Sequence, residues 1–278
     1  MIEGIVNKII PFSSVDGPGN RTAIFLQGCN FNCIYCHNPE TICLCKNCGA
    51  CVNRCQSKAL RKEDSQVIWE KEKCSECDKC STLCNQNSSP RTMKITAGRL
   101  IEEIGRYKHF IDGITVSGGE CTLQKEFLKE LFGLAKQEGL SCMIDSNGSN
   151  DFEKMPEVLE LCDGVMLDVK VYDAQTHQEH IGQSNEVVLK NLEYLASRGK
   201  LYEVRTVIVP ELFDNEETVK EVARRLVKYD SSIRYKLIKY RSMGVRENGE
   251  CLRTPSSDEM NELKKVILKI GAQNIILL

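Results

Sequence analysis

The chain has 278 residues, 41% of them hydrophobic and 27% charged, with a formal net charge of −2. That balance offers no basic excess to favour a nucleic-acid partner, and no apolar run approaches the roughly 18 residues of a membrane-spanning helix. The opening MIEGIVNKIIPF carries Glu3 and Lys8 inside its apolar stretch, which argues against an export signal and predicts a cytoplasmic protein with no membrane partner.

Taken in chain order, the first predicted strand is RTAIFLQG, residues 21–28. It runs into GCNFNCIYCHNPE, residues 28–40, where Cys29, Cys33 and Cys36 follow the spacing Cys-x3-Cys-x2-Cys. Three cysteines are one short of the four ligands that close a zinc site or an ordinary iron–sulfur cluster. Cysteine is also the compositional outlier, at 16 residues, twelve of them between Cys29 and Cys84. Without an export signal, such bunching predicts metal or cluster ligation rather than disulfides.

From residue 41 to 92 apolar periodicity fails and cysteine dominates, so this stretch reads as an insert between the first strand and its helix. Cys45, Cys48, Cys51 and Cys55 follow Cys-x2-Cys-x2-Cys-x3-Cys, and Cys74, Cys77, Cys80 and Cys84 repeat that spacing. The tandem is the pattern of bacterial two-cluster ferredoxins, in which the fourth cysteine of each run ligates the other run's cluster. Cys45, Cys48, Cys51 and Cys84 would then hold one 4Fe–4S cluster, and Cys55, Cys74, Cys77 and Cys80 the second. A pair of structural zinc sites is the alternative, although zinc does not need this spacing twice. Gln56 and Asn85 stand where a proline usually follows the fourth cysteine, and Cys43 is an extra thiol that competes as a ligand.

Beyond residue 92, strands are predicted at GITVS (113–117), SCMID (141–145), GVMLDVK (164–170), LYEVRTVIV (201–209), IRYKLIKY (233–240) and NIILL (274–278). Helical patterns lie between them, including AGRLIEEIGRYKHF (97–110) and KEFLKELFGLAKQEG (125–139). A third helix follows Asp214, with Val219, Val222, Ala223, Leu226 and Val227 on one face; Asp214 is its N-cap and Glu217 a capping-box partner. Short, β-branched strands alternating with helices predict an α/β fold with a parallel sheet, open or closed into a full or partial barrel, built from residues 1–40 and 93–278.

In such folds active sites form at the carboxyl ends of the strands. The three-cysteine loop lies there, and so do SGGE (117–120), DSNG (145–148), DVK (168–170) and KYR (239–241). Three thiolates can hold a 4Fe–4S cluster whose fourth iron is left for a small chelate, such as the amine and carboxylate of an amino acid. Gly118 and Gly119 permit close backbone approach, Glu120 can accept from an ammonium group, and Asp145, Ser146 and Asp168 supply hard oxygens for a cation. Each has a plainer reading: a Gly-Gly turn, a helix cap at Asp145–Ser146, an Asp168–Lys170 ion pair, and packing for Tyr35 and His37. Their convergence on one rim favours a site.

The loop, with an aromatic residue before its last cysteine, resembles the radical S-adenosylmethionine (SAM) superfamily. VDGPGNR (15–21), YCHNPE (35–40), VSGGE (116–120), DSNG and MLDVK (166–170) resemble the glycyl-radical-enzyme activating enzymes within it, and KIIPFSSVDGPGNR with DGITVSGGE is most similar to the YjjW-type activases. The resemblance implies a partial (β/α)6 barrel, open on one side for a macromolecular substrate, with a ferredoxin-like insert at 41–92 and three 4Fe–4S clusters in all. It implies that SAM chelates the unique iron of the Cys29–Cys33–Cys36 cluster, with Tyr35, Cys36, His37, Gly119, Asp168, Val169 and Lys170 lining its site. It further implies a monovalent cation at Asp145, Ser146, Met166 and Asp168, and Asp16 beside the incoming peptide. Arg241 stands where the family often has a histidine that contacts SAM; it can hold a carboxylate but cannot act as a neutral imidazole.

The implied reaction is that of an oxidoreductase. One electron, from flavodoxin or ferredoxin, splits SAM into methionine and a 5′-deoxyadenosyl radical, which takes a Cα hydrogen from a glycine of a partner glycyl-radical enzyme. Two other readings stay open: a radical SAM enzyme acting on a small molecule or another peptide, and a multi-cluster electron carrier without catalysis.

Overall fold

A computed structural model describes residues 2–246 and 251–278. The strands are β1 (Glu3–Ser13), β2 (Arg21–Leu26), β3 (Leu60–Glu63), β4 (Gln66–Trp69), β5 (Met93–Thr96), β6 (Gly113–Gly118), β7 (Ser141–Ser146), β8 (Gly164–Asp168), β9 (Leu201–Ile208), β10 (Arg234–Lys239) and β11 (Ile275–Leu277). The helices are α1 (Lys79–Thr82), α2 (Ala97–Gly105), α3 (Lys125–Gln137), α4 (Pro156–Leu161), α5 (Ala174–Ile181), α6 (Glu186–Ser197), α7 (Asn215–Tyr229) and α8 (Ser257–Ile270). Nine strands form one mixed sheet in the order β11-β10-β9-β8-β7-β6-β2-β1-β5. The seven from β2 to β11 are parallel, as the alternating pattern predicts. β1 and β5 run antiparallel at one edge and were not expected as strands. β5 has four residues, too few for a periodic signal, and the pairing of β1 with β2 is interrupted by irregularities near Val6 and Ile10.

The parallel strands are apolar on both faces because helices cover them. Ala23, Ile24 and Leu26 of β2 and Val165, Met166 and Leu167 of β8 are all fully buried. Burying each of the larger side chains contributes about 1.5–3 kcal/mol. The helix after Asp214 forms as expected. Asp214 accepts the N–H of Glu217 at 2.8 Å, and Val219, Val222, Ala223 and Leu226 face the core. Val227 points outward instead, and Thr218 takes the inner position, where its hydroxyl accepts the Tyr172 N–H at 3.1 Å.

The stretch 41–92 adds no strand to the large sheet. It carries the β3–β4 hairpin, turned by Asp64 and Ser65, both at positive φ, as a two-residue hairpin loop requires. Its ends meet where Cys43 bridges Ser88. The chain then enters β5 at the far edge of the sheet before α2, so the segment does not lead directly from the first strand into its helix.

Candidate active site

The rim forms where β2 and β6 end side by side. Gly118 lies at φ +121°, and a Cβ there would stand 2.2 Å from the Leu26 carbonyl oxygen. A Cβ on Gly119 would stand 2.2 Å from the Gly28 carbonyl oxygen and 2.8 Å from that of Thr41. Both glycines therefore let the end of β6 cross against the start of the three-cysteine loop. The crossing is pinned by Gly119 N–H donating to Leu26 O (3.0 Å) and Glu120 N–H to Gly28 O (2.7 Å).

Glu120 is buried, and both its oxygens are engaged. Oε1 accepts from the Thr122 N–H (3.0 Å), the Thr122 hydroxyl (2.5 Å) and the Ser146 hydroxyl (2.9 Å); Oε2 accepts from the Asn147 N–H (2.7 Å). Burial raises its pKa despite these donors. The carboxyl ties β6 to β7, which differs from the sequence expectation of an acceptor waiting for an ammonium group. Asn147, so fixed, points its Nδ2 at Cys29 Sγ, 3.6 Å away.

The cysteine loop is held from three sides. Cys29 N–H donates to Ile42 O (2.9 Å), while Asn32 and Ile34 donate to Ile181 O (2.9 Å) and His180 O (3.0 Å) at the end of α5. Arg246 donates to Cys33 O (2.6 Å) and Asn32 Oδ1 (2.7 Å). Burial pushes the Cys29 thiol up to about 12 and Cys33 to about 11, and raises Cys36. Such thiols stay protonated until a metal takes the proton's place. Tyr35 packs on Phe213 with ring centroids 5.5 Å apart, and its buried hydroxyl has no hydrogen-bond partner among the described residues. His37 Nε2 meets the Arg241 carbonyl at 2.8 Å, so Arg241 reaches the loop through its backbone while its side chain is exposed.

Lys170 and Asp168 pair at 3.0 Å. Burial works to lower the Lys170 pKa, but Asp168 and the neighbouring Cys33 hold it well above its ordinary value. Val169 is buried beside them. The residues expected to bind a monovalent cation do not surround an open position. Arg205 Nη1 donates to Asp145 Oδ2 (2.9 Å), its Nη2 lies 2.8 Å from Met166 Sδ, and Ser146 is turned to Glu120. Asp145 is the penultimate residue of β7 and also accepts from Ser117 (3.0 Å); it is not a helix cap. Burial raises its pKa even against Arg205. Asp16 lies near enough for its charge to act on Asp145, and its carbonyl accepts from Thr115 Oγ1 at 2.5 Å. The fully buried Arg21 anchors that loop, with bonds to Pro18 O (3.1 Å), Thr115 Oγ1 (2.8 Å), Ile114 O (2.7 Å) and Ser141 O (2.9 Å).

In the insert, Cys55, Cys74, Cys77 and Cys80 line one small cavity. These are the four thiols that the crossed pattern assigns to one cluster. Cys51 lies within electrostatic reach of Cys80 and, after it, of Cys45 and Cys48. Among the described residues, no three His, Cys, Asp or Glu side chains converge tightly enough for a single metal ion.

Arg205, Asn147 and Arg246 were not singled out in the sequence. Arg205 left a signal: a charged residue two positions from Glu203 in an apolar strand, hence on one face with it. Glu203 is buried and pairs with Arg205 (2.6 Å), Lys236 (2.8 Å) and Arg234 (3.1 Å). Arg246 comes from a loop far along the chain and left none.

Residues 23–226 match the radical SAM superfamily; that is well over half of the chain, and the chain belongs to that superfamily. It is 31% identical to the pyruvate formate-lyase-activating enzyme of Streptococcus mutans serotype c, over 96% of this chain and 91% of the relative. It is 26% identical to the trans-4-hydroxy-L-proline dehydratase activating enzyme of Clostridioides difficile, over 90% and 91% respectively. The structure of QueE from Escherichia coli aligns with a TM-score of 0.57 at 15% identity, covering 100% of this chain and 95% of that one, which speaks to the fold alone. Among the described residues no helix is long and apolar enough to cross a membrane.

Proposed function

We propose, on the premise that the chain belongs to the glycyl-radical-enzyme activating enzymes, that it activates a partner enzyme by removing a Cα hydrogen from one glycine of that partner. The observation that carries this is the three-thiol loop at the rim, facing the half-buried Lys170–Asp168 pair and the Tyr35 hydroxyl, which has no partner among the described residues. The donor set fits a 4Fe–4S cluster on Cys29, Cys33 and Cys36 with one iron left for the amine and carboxylate of SAM. When bound, the cluster and SAM supply the chemistry: one electron in, methionine out, and a 5′-deoxyadenosyl radical that becomes 5′-deoxyadenosine on taking the glycine hydrogen.

The remaining work belongs to the chain's own side chains. Gly118 and Gly119 let the strand end pack against the Leu26, Gly28 and Thr41 backbone, and the backbone so placed beside the three-cysteine loop would meet SAM's amino end. Lys170 brings a half-buried positive charge against a carboxylate, and Tyr35, Phe213 and Val169 exclude water. His37 is oriented by the Arg241 carbonyl, and we assign Arg241 no closer role. Asp16, set at the inner face of the sheet by Arg21 and Thr115, meets the incoming glycyl loop. We read Arg205 as a tethered cation: it supplies charge between Asp145 and Met166, so no separate metal ion is invoked there.

We further propose that residues 1–40 and 93–278 form a partial (β/α)6 barrel and that residues 41–92 form a two-cluster ferredoxin-like unit. Flavodoxin or ferredoxin would be the electron donor. The test is anaerobic incubation of the iron-loaded protein with SAM and dithionite. 5′-Deoxyadenosine should form, should rise when a peptide carrying a partner's glycyl loop is added, and should vanish in Cys33→Ser. A simple electron carrier would give none, and a small-molecule enzyme would ignore the peptide.

A further inference from the structure

The lining of the cavity that holds Cys55, Cys74, Cys77 and Cys80 also includes Trp69 and Arg91. Trp69 Nε1 and Arg91 Nε are both buried, and among the described residues neither atom has a hydrogen-bond partner. Both groups can only donate, and leaving a buried donor unsatisfied costs about 1–3 kcal/mol. Arg91 is held in place by its ion pair with Asp78. Trp69 is fixed at the end of the hairpin opposite Leu60. Two immobilised N–H groups thus border a space ringed by four thiols.

We infer that Trp69 and Arg91 donate hydrogen bonds to the sulfurs of the cluster held by Cys55, Cys74, Cys77 and Cys80. N–H···S bonds favour the reduced, more negative cluster, so they raise its reduction potential. An electron delivered to the insert then rests on this cluster in preference to the same cluster lacking those donors. The inference rests on the reading that the insert carries two clusters.

Trp69 is the only tryptophan in the chain, so ¹⁵N-indole labelling marks it alone. Pulsed EPR of the partly reduced, labelled protein should show a ¹⁵N coupling to an insert cluster. EPR-monitored redox titration of Trp69→Phe and Arg91→Lys should show one midpoint lowered in each and the other two unmoved. An iron count near twelve per chain with no ¹⁵N coupling and three unmoved midpoints would overturn the inference. A count near four in the wild-type protein would instead overturn the two-cluster reading beneath it.

Discussion

Glu120 separates two accounts of the rim. If it is a strut, Glu120→Ala strands four donors at once: the Thr122 N–H and hydroxyl, the Ser146 hydroxyl and the Asn147 N–H. Hydrogen bonds to a charged acceptor are each worth about 1.5–3 kcal/mol. They are not additive here, because removing the carboxyl also relieves its burial. A net loss on the order of 4 kcal/mol follows, or roughly 8–16 °C in melting temperature for a chain near this size. Glu120→Gln should lose less. Its carbonyl can take the three-donor Oε1 position while its NH₂ faces only the Asn147 N–H, for a cost of about 1–2 kcal/mol. The assay is thermal melting of the apo protein by circular dichroism, alongside SAM affinity of the iron-loaded protein. An Ala variant that melts within about 2 °C of wild type but binds SAM poorly would refute the strut and restore the ammonium-acceptor reading.

Gly119→Ala places a Cβ 2.2 Å from the Gly28 carbonyl oxygen, a backbone clash that no rotamer relieves. It should cost about 1–3 kcal/mol and lower the iron retained by the first cluster, read by iron assay. Arg205→Met leaves Asp145 and Glu203 short of a buried partner and should destabilise by about 3–5 kcal/mol. SAM affinity should be indifferent to potassium in the wild type and become potassium-dependent in this variant; potassium dependence in the wild type would remove the tethered-cation reading. His177 is buried with its pKa lowered from 6.5, chiefly by desolvation and secondarily by Lys170, against the Gln183 carbonyl. The unfolded chain therefore takes up that proton first, so stability present above pH 6.5 is lost as pH falls below it, with a limiting slope of about 1.4 kcal/mol per pH unit. Melting at pH 7.5 and 5.5 should show a smaller drop in His177→Gln than in wild type; an equal drop would count against it.

Much of the sheet was legible because parallel strands covered by helices must be apolar on both faces, and β2, β6 and β8 announce themselves that way. β1 and β5 were not: β5 is an edge strand whose four residues hold no period, and β1, though paired on both sides, is mostly part-buried, with Asn7 and Lys8 breaking its apolar run. The cysteine intervals alone lead to the proposal that Cys55, Cys74, Cys77 and Cys80 share a cluster, and these four line one cavity. The site was not legible where a residue's role is set by what arrives from elsewhere in the fold. Glu120 looks free in SGGE and is saturated by Thr122, Ser146 and Asn147. Asp145 and Met166 look like cation ligands until Arg205 reaches them from the second strand along. Arg246 contacts the Cys33 carbonyl across a sequence separation that no local pattern spans.

The central claim is hydrogen abstraction from a partner's glycine, and EPR of that partner tests it most directly. A glycyl-radical enzyme, ideally one encoded beside this chain, is incubated anaerobically with the fully iron-loaded protein, SAM and reduced flavodoxin. A doublet from a Cα radical should appear, collapse to a singlet when the partner's glycines carry deuterium at Cα, and be absent with Cys33→Ser. 5′-Deoxyadenosine accumulating with no radical on any glycyl-radical enzyme offered would contradict the activating role while leaving SAM cleavage intact.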